Sequence, residues 1–163
     1  MKQLALTREV TEIDESKPEQ ASEKKVLKML LTNYPKAVEL FQQEAQILGQ
    51  MNHIGIPRLA TDGYFSFQPQ WSKNPIYCLV TEKITGLDLE QWLEKRDNRA
   101  VSEQQAQDWL KQLLDILSQL HQQQYFHRDI KPANIILQPN GKLVLIDYGA
   151  ARKVTSTYLG KVG

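Results

Sequence analysis

The stretch His127-Arg128-Asp129-Ile130-Lys131-Pro132-Ala133-Asn134, with Asp147-Tyr148-Gly149 after it, decides the fold of this chain. It places two carboxylates, an amide and a lysine at fixed intervals. Carboxylate and amide oxygens suit a hard cation such as Mg²⁺ or Mn²⁺, and a carboxylate can also accept the proton of a hydroxyl. These residue types predict phosphoryl transfer from a metal-bound triphosphate to a hydroxyl nucleophile.

A β-hairpin between the two motifs is predicted by the turn Asn140-Gly141 and by the apolar runs 135–137 and 143–146 on either side of it. Asn134 precedes the first strand, and Asp147 follows the second. Because a hairpin brings the outer ends of its strands together, we expect these two residues to be neighbours and to supply metal ligands.

The loop before the hairpin provides the other two reactive side chains. Asp129 can accept or orient the hydroxyl proton, while Lys131 can neutralise charge on the transferring phosphoryl group. The alternative is an ordinary polar loop, since either short triplet alone occurs by chance. The joint spacing of both motifs favours the catalytic interpretation.

The composition argues against several other classes of function. The chain has 163 residues, 41% of them hydrophobic, which is enough for the core of one domain or two small lobes. A net charge of +1 gives no electrostatic case for nucleic acid or for an anionic membrane. No membrane segment or secretion signal is visible, and the single cysteine, Cys78, cannot form an internal disulfide. We therefore expect a cytoplasmic protein.

The first half of the chain holds a lysine and a glutamate in apolar surroundings. Lys28 lies in the apolar run 25–31, which predicts a strand. Glu44 lies at the edge of the apolar stripe of a helix predicted from Pro35 to about Gln50. Pairing would satisfy two partly buried charges. The alternative, which the two residues taken alone favour, is that both side chains extend to water.

The other segments predict strands first and helices afterwards, which places a lobe boundary near residues 83–87. The predicted elements are an edge strand within 1–13, a loop over 14–24, strands at 63–67 and 76–82, a short helix capped by Asp88 with Gln91, and a long apolar helix from Ser102 to about Gln123.

Residues 127–134 resemble the catalytic loop of eukaryotic-like, or Hanks-type, serine/threonine protein kinases. Residues 147–149 resemble the Asp-Phe-Gly motif of that family, with Tyr in place of Phe. The details are most similar to bacterial members, particularly those of cyanobacteria. The resemblance implies an α+β, protein kinase-like bilobal fold that is present in part. Residues 1–83 would form most of the small lobe, and residues 84–163 the first part of the large lobe.

The resemblance also implies a role for each reacting group. In the family's terms these groups are the catalytic base Asp129, the phosphate-contacting Lys131, the Mg²⁺ ligands Asn134 and Asp147, and the ATP-phosphate lysine Lys28 with its partner Glu44. For Lys28 and Glu44 the resemblance thus favours an ion pair over extension to water.

A binding site for the rest of the ATP molecule is implied in the same way. Its members would be the hinge residues Glu82, Lys83 and Ile84, the gatekeeper Thr81, the purine-covering Val26 and Ile136, and Asp88 near the ribose. Three further residues look like the family's supporting residues: His127 and Tyr148 in its hydrophobic spine, and Arg128 as the arginine that pairs with a phosphate on residues 155–158.

The sequence departs from the family pattern at both ends. No glycine precedes Gly49, so the glycine-rich loop that covers the ATP phosphates is not found before Lys28, and Gly163 falls inside the activation segment. We therefore expect a kinase truncated at both ends, with low or no activity by itself. The apolar helix from Ser102 should leave an exposed patch that favours self-association.

Two function hypotheses follow. The first is a serine/threonine protein kinase that uses ATP and Mg²⁺ and acts on a protein substrate. The second is a catalytically dead pseudokinase or remnant that acts as a nucleotide-binding or protein-interaction module. Retention of the reacting residues favours the first, and the missing phosphate loop favours the second. A small-molecule kinase of the aminoglycoside type fits less well, because Arg128 and Lys131 match the protein-kinase form.

Overall fold

The computed structural model describes residues 5–11 and 24–154, which pack as two compact units. One unit contains residues 5–11, 24–50 and 57–83. The other contains residues 51–56 and 84–154. The predicted loop over 14–24 lies outside the described residues except for Lys24, which is already in a strand.

The first unit is built on a four-stranded antiparallel sheet with the strand order β1-β2-β4-β3. Its strands are β1 (Ala5–Thr11), β2 (Lys24–Leu30), β3 (Leu59–Phe67) and β4 (Ile76–Glu82). The predicted edge strand is confirmed for residues 5–11, since β1 pairs with β2 alone among the described strands. The sheet gives Lys28 a fixed position in the second strand, opposite Leu79 of β4.

One helix, α1 (Pro35–Gln50), packs against strands β2 and β3 of this sheet. Proline suits the first turn because its missing N–H would have no partner there. The buried stripe includes Phe41, Leu48 and the fully buried Ile47, and it also contains Glu44. The helix thereby directs a carboxylate toward the sheet, where an uncompensated charge would be costly.

The register between β3 and β4 shifts between Leu59 and Tyr64, so the third strand begins earlier than the sequence predicted. Asp62 lies within this irregular segment with φ +51°. Next to it, Gly63 is buried so tightly that a Cβ would lie 2.6 Å from Val80 O and 2.7 Å from Ala60 O. The polar and glycine residues that hide the strand signal in the sequence therefore form a bulge in the structure.

The second unit combines two helices, a single 3₁₀ turn and two small sheets. Its strands are β5 (Leu87–Asp88), β6 (Tyr125–Phe126), β7 (Ile135–Leu137), β8 (Leu143–Leu145) and β9 (Arg152–Lys153). One sheet has the order β5-β7-β8, and the other pairs β6 with β9. The predicted hairpin is confirmed, with Ile135 opposite Leu145 and Leu137 opposite Leu143.

Both helices of this unit begin at the predicted capping residues. The first, α2 (Leu89–Glu94), follows Asp88, whose carboxylate accepts the Gln91 N–H at 2.8 Å. The second, α3 (Glu103–Gln122), follows Ser102, whose hydroxyl accepts the Gln105 N–H at 3.2 Å. These side chains satisfy N–H groups that have no partner inside the helix.

Residues 51–56 pack with the second unit, whereas the lobe boundary expected from the sequence lies after them, near residues 83–87. The N–H of Leu145 donates to Gly55 O at 2.9 Å. His53 Nε2 lies 3.0 Å from Asp115 Oδ2 of α3, and a Cβ on Gly55 would lie 2.4 Å from Ile116. The segment thus belongs to the second unit, since its backbone binds the outer edge of β8.

The long helix α3 buries Trp109, Ile116 and Leu120 but leaves Leu110 and Leu114 each 57% exposed. Its apolar face is therefore only partly covered by the described residues, as expected. Self-association through this face stays a prediction. Among the described ranges, the helices lack the combination of length and apolar character needed to cross a membrane.

Replacing Gly63 with alanine should destabilise the first unit by roughly 1–3 kcal/mol, because the new methyl group would overlap two backbone carbonyl oxygens. Gly49→Ala is the matched control. Its Cβ would make only an ordinary 3.5 Å contact with Leu59, inside a helix that prefers alanine, so we expect stabilisation by at most about 1 kcal/mol. Urea denaturation of both variants measures the difference, and equal midpoints would contradict the packing argument.

Candidate active site

His127 is a buried residue that holds the loop carrying the reactive side chains in place. Its Nε2 lies 3.2 Å from the carbonyl oxygen of Ile146, and its Nδ1 accepts the N–H of Asp129 at 3.3 Å. This pattern requires the proton on Nε2. Burial lowers the pKa of His127, which keeps the ring neutral near pH 7. The imidazole therefore acts as a fixed link between the loop and the end of the hairpin.

Asp129 is held by two side chains from its own loop. Lys131 Nζ donates to Asp129 Oδ2 at 2.8 Å. The Asn134 amide nitrogen donates to the same Oδ2 at 2.9 Å and to the Asp129 carbonyl oxygen at 2.8 Å. The hydrogen bond from Lys131 is the main reason that the pKa of Asp129 lies below its ordinary value, and it raises the pKa of Lys131. Asp129 is thus an oriented carboxylate that is ionised at neutral pH.

Asn134 is placed by a 3₁₀ turn, Pro132–Asn134, in front of strand β7. Its N–H donates to Lys131 O, and its carbonyl oxygen accepts the Ile146 N–H, both at 2.9 Å. The side chain is buried, and its nitrogen is directed at Asp129. The amide oxygen consequently lies on the opposite side of the group, and an amide oxygen is a suitable ligand for Mg²⁺.

Asp147 follows Ile146 at the end of the hairpin, as the sequence predicted, and its side chain is exposed. The bond between Ile146 and Asn134 brings the two proposed metal ligands to neighbouring strand ends. Asp147 has φ +64°, and Arg128 in the facing loop has φ +68°. A non-glycine residue in this region is strained by about 1–2 kcal/mol, and such strain is concentrated at functional sites.

In the first unit, Lys28 and Glu44 form an ion pair. Lys28 Nζ lies 2.9 Å and 2.8 Å from the two carboxylate oxygens of Glu44, which is only 4% exposed. Of the two arrangements that the sequence left open, the structure therefore contains the pair. A lysine held in this way presents a positive charge in a fixed position, which suits binding of a phosphate group.

The other residues proposed for ATP binding occupy ordered strand and loop positions. In the first unit, Val26 pairs with Thr81 between β2 and β4, and the Glu82 carboxylate binds Arg58 through its backbone N–H, Nε and Nη2. In the second unit, Ile136 lies opposite Asp88, which is already engaged as the cap of α2. Ile84 begins the longer stretch of this unit, directly after Lys83.

The acidic and imidazole side chains of the described ranges form no group of three or more that could hold a metal ion. A cation at Asn134 and Asp147 would therefore depend on additional oxygen ligands. Mg²⁺ is commonly bound by one or two protein oxygens together with phosphate oxygens of a nucleotide. The donor set fits a metal that arrives with ATP.

Comparison with known proteins decides the family. The protein kinase domain family matches residues 10–162. The chain belongs to this family. Serine/threonine-protein kinase B of Synechocystis sp. is 41% identical over 125 residues, and serine/threonine-protein kinase F of the same organism is 37% identical over 126. Serine/threonine-protein kinase PknA of Mycobacterium tuberculosis is 33% identical over 139 residues.

These alignments cover 76%, 74% and 85% of the chain but only 20%, 25% and 31% of the respective relatives. The chain thus spans about a fifth to a third of their length. The resemblance to bacterial Hanks-type kinases and the α+β kinase fold predicted from the sequence are confirmed. The roles of individual residues stay predictions.

Sequence reasoning missed two contacts at this site. The hydroxyl of Tyr148 donates to Leu145 O at 3.0 Å, and the 51–56 segment binds the N–H of the same Leu145 through Gly55. The tyrosine was visible as a departure from the family's phenylalanine. The hydrogen-bond partner of its hydroxyl was not visible, because the direction of the hydroxyl depends on the side-chain rotamer.

The Lys28–Glu44 pair should contribute measurably to stability. Glu44→Gln removes the charge and keeps the shape, so a partly buried lysine loses this ionic partner, and we expect a loss of about 1–3 kcal/mol in urea unfolding. Glu39→Gln is the control, because the Lys36–Glu39 pair has a similar N–O distance of 2.7 Å on the exposed surface, and its loss should change stability by less than about 0.5 kcal/mol. Equal losses would contradict the importance of burial.

Lys131→Met should raise the pKa of Asp129 toward its ordinary value, because it removes the main interaction that lowers it. Carbon-13 NMR titration of the labelled carboxylate measures this, with the exposed Lys142→Met as control. A depressed folded-state pKa stabilises the fold above the unfolded pKa, and this stabilisation is lost as the pH falls through the folded pKa. Acid unfolding should therefore depend less on Asp129 in the variant, and an unchanged titration would refute the assignment.

Proposed function

We propose that this chain provides the ATP-binding and catalytic residues of a serine/threonine protein kinase, which transfers the γ-phosphoryl group of ATP to a protein hydroxyl. The observation that carries this proposal is the orientation of Asp129. It is an ionised carboxylate fixed by Lys131 and Asn134, in a loop bonded to the strand end that carries Asp147. The names of the bacterial relatives support the choice of serine and threonine hydroxyls.

In the proposed reaction, Asp129 accepts a hydrogen bond from the substrate hydroxyl and takes its proton as the oxygen attacks the γ-phosphorus. A new P–O bond forms, and the bond to the β-phosphate oxygen breaks, so ADP leaves with the electron pair. Lys131 balances negative charge on the transferring group. Because Lys131 contacts Asp129, its ammonium group lies beside the proposed position of the attacking hydroxyl.

The metal-binding role belongs to Asn134, through its amide oxygen, and to Asp147, through its carboxylate. A bound Mg²⁺, or Mn²⁺ in its place, would neutralise charge on the β- and γ-phosphates. Lys28 contributes binding of the α- and β-phosphates, and its pairing with Glu44 fixes the ammonium group for this purpose. The strain at Asp147 agrees with a ligand held ready for the cation.

The nucleoside-binding residues are proposed from their position within the family. The backbone of Glu82 and Ile84 would bind adenine, with apolar cover from Val26 and Ile136, and Asp88 would lie near the ribose. We place the protein in the cytoplasm, where ATP is abundant and the buried thiol of Cys78 stays reduced. Leu110 and Leu114 form the surface proposed for self-association.

Asp129→Asn and Asp147→Asn separate catalysis from metal binding. Asp129→Asn should leave the affinity for ATP with Mg²⁺ within about twofold and reduce phosphoryl transfer by about 10²–10⁴-fold. Asp147→Asn should remove most of the Mg²⁺-dependent part of the ATP affinity, about tenfold or more. Calorimetry measures binding, and intact mass after incubation with ATP measures transfer into the chain.

Asp108→Asn, on α3 and apart from the proposed catalytic and metal-binding residues, is the control for both measurements. Equal phosphate incorporation in wild type and Asp129→Asn would exclude the proposed catalytic role. Binding of ATP without transfer by any variant, wild type included, would instead favour the nucleotide-binding module.

A further inference from the structure

The hydroxyl group of Tyr148 has a partner that the family's usual phenylalanine cannot have. Tyr148 is 1% exposed, and its hydroxyl donates to the carbonyl oxygen of Leu145 at 3.0 Å. Leu145 is fully buried, and its N–H is already bonded to Gly55 O. The tyrosine hydroxyl therefore satisfies a carbonyl that water cannot reach.

This hydrogen bond closes a short loop that contains Asp147. The loop runs from Leu145 to Tyr148, and Asp147 within it has the strained φ of +64°. On the far side, the Tyr148 carbonyl oxygen accepts the Ala151 N–H at 3.0 Å. The residue after Asp147 is thus anchored through both its side chain and its backbone.

The Tyr148 ring is fixed as well, by edge-to-face contact with His127 at 4.9 Å between centroids. A phenylalanine could keep this contact but would leave the Leu145 carbonyl without its donor. Rotation of the tyrosine out of its pocket would break a buried hydrogen bond in addition to the ring packing. Burial also raises the pKa of the Tyr148 phenol, so the group remains a neutral donor throughout the physiological pH range.

We propose that the Tyr148 hydroxyl is a positioning group, which holds Asp147 in its strained, metal-binding conformation and opposes rearrangement of residues 147–149. The inference rests on the proposed role of Asp147 as a metal ligand. Tyr148 touches neither nucleotide nor substrate in this proposal. It acts through the backbone on either side of Asp147.

Tyr148→Phe in the full chain removes the hydroxyl alone, and phenylalanine is the residue that the family motif usually carries. Tyr34→Phe is the matched control, since Tyr34 is 68% exposed. Without nucleotide, hydrogen exchange of the backbone amides at 146–151 should be about three- to tenfold faster in Tyr148→Phe, as expected for loss of one hydrogen bond. Amides of α1 serve as an internal reference for global stability.

Affinity for ATP is then measured by calorimetry with Mg²⁺ and, separately, with EDTA. A general loss of structure would weaken binding under both conditions. Displacement of Asp147 should reduce only the gain in affinity that Mg²⁺ provides, by about three- to tenfold, with Tyr34→Phe unchanged.

Faster exchange confined to residues 146–151, together with a smaller Mg²⁺-dependent gain, would support the proposal. Unchanged exchange would overturn it, as would faster exchange with an undiminished effect of Mg²⁺. If the wild-type chain binds no ATP, the proposed function fails, and the exchange measurement still decides whether the hydroxyl holds this segment.

Discussion

The hydrogen bond between the Ile146 N–H and Asn134 O joins the outer ends of the β7–β8 hairpin, and the arrangement of the candidate active site depends on it. The bond connects the 3₁₀ turn that ends the loop to the residue before Asp147. The carbonyl oxygen of Ile146 accepts a hydrogen bond from one ring nitrogen of His127. The other ring nitrogen accepts the N–H of Asp129 and so fixes the backbone there. Two motifs that are separate in the sequence thereby become one hydrogen-bonded unit.

Two carboxylates with proposed roles, Glu44 in the first unit and Asp129 in the second, each form an ion pair with a lysine of their own unit. Glu44 is almost fully buried on α1, and the ammonium of Lys28 on β2 offsets its charge. Asp129 is more accessible and is held by Lys131 and Asn134. In both cases a carboxylate is held in place by a lysine, so little reorganisation is needed when a charged ligand binds.

The sequence predicted short-range interactions more accurately than long-range ones. The caps at Asp88 and Ser102 use a side chain and an N–H three residues apart, so they could be recognised locally. Residues 51–56 were assigned to the first lobe together with their chain neighbours, whereas the Gly55 carbonyl oxygen accepts the N–H of Leu145 in the second unit. The early start of β3 was missed because the bulge around Gly63 interrupts the alternation that marks a strand.

The sequence by itself determined the family, the hairpin and the residue types at the reactive positions, because motif spacing and turn chemistry depend on neighbours along the chain. Only the tertiary structure decided whether Lys28 and Glu44 pair or extend to water, since that choice depends on how α1 lies on the sheet. The direction of the Tyr148 hydroxyl was likewise decided only by the tertiary structure. The sequence shows a hydroxyl where the family usually has none, and only packing around β8 directs it to the Leu145 carbonyl beside Asp147.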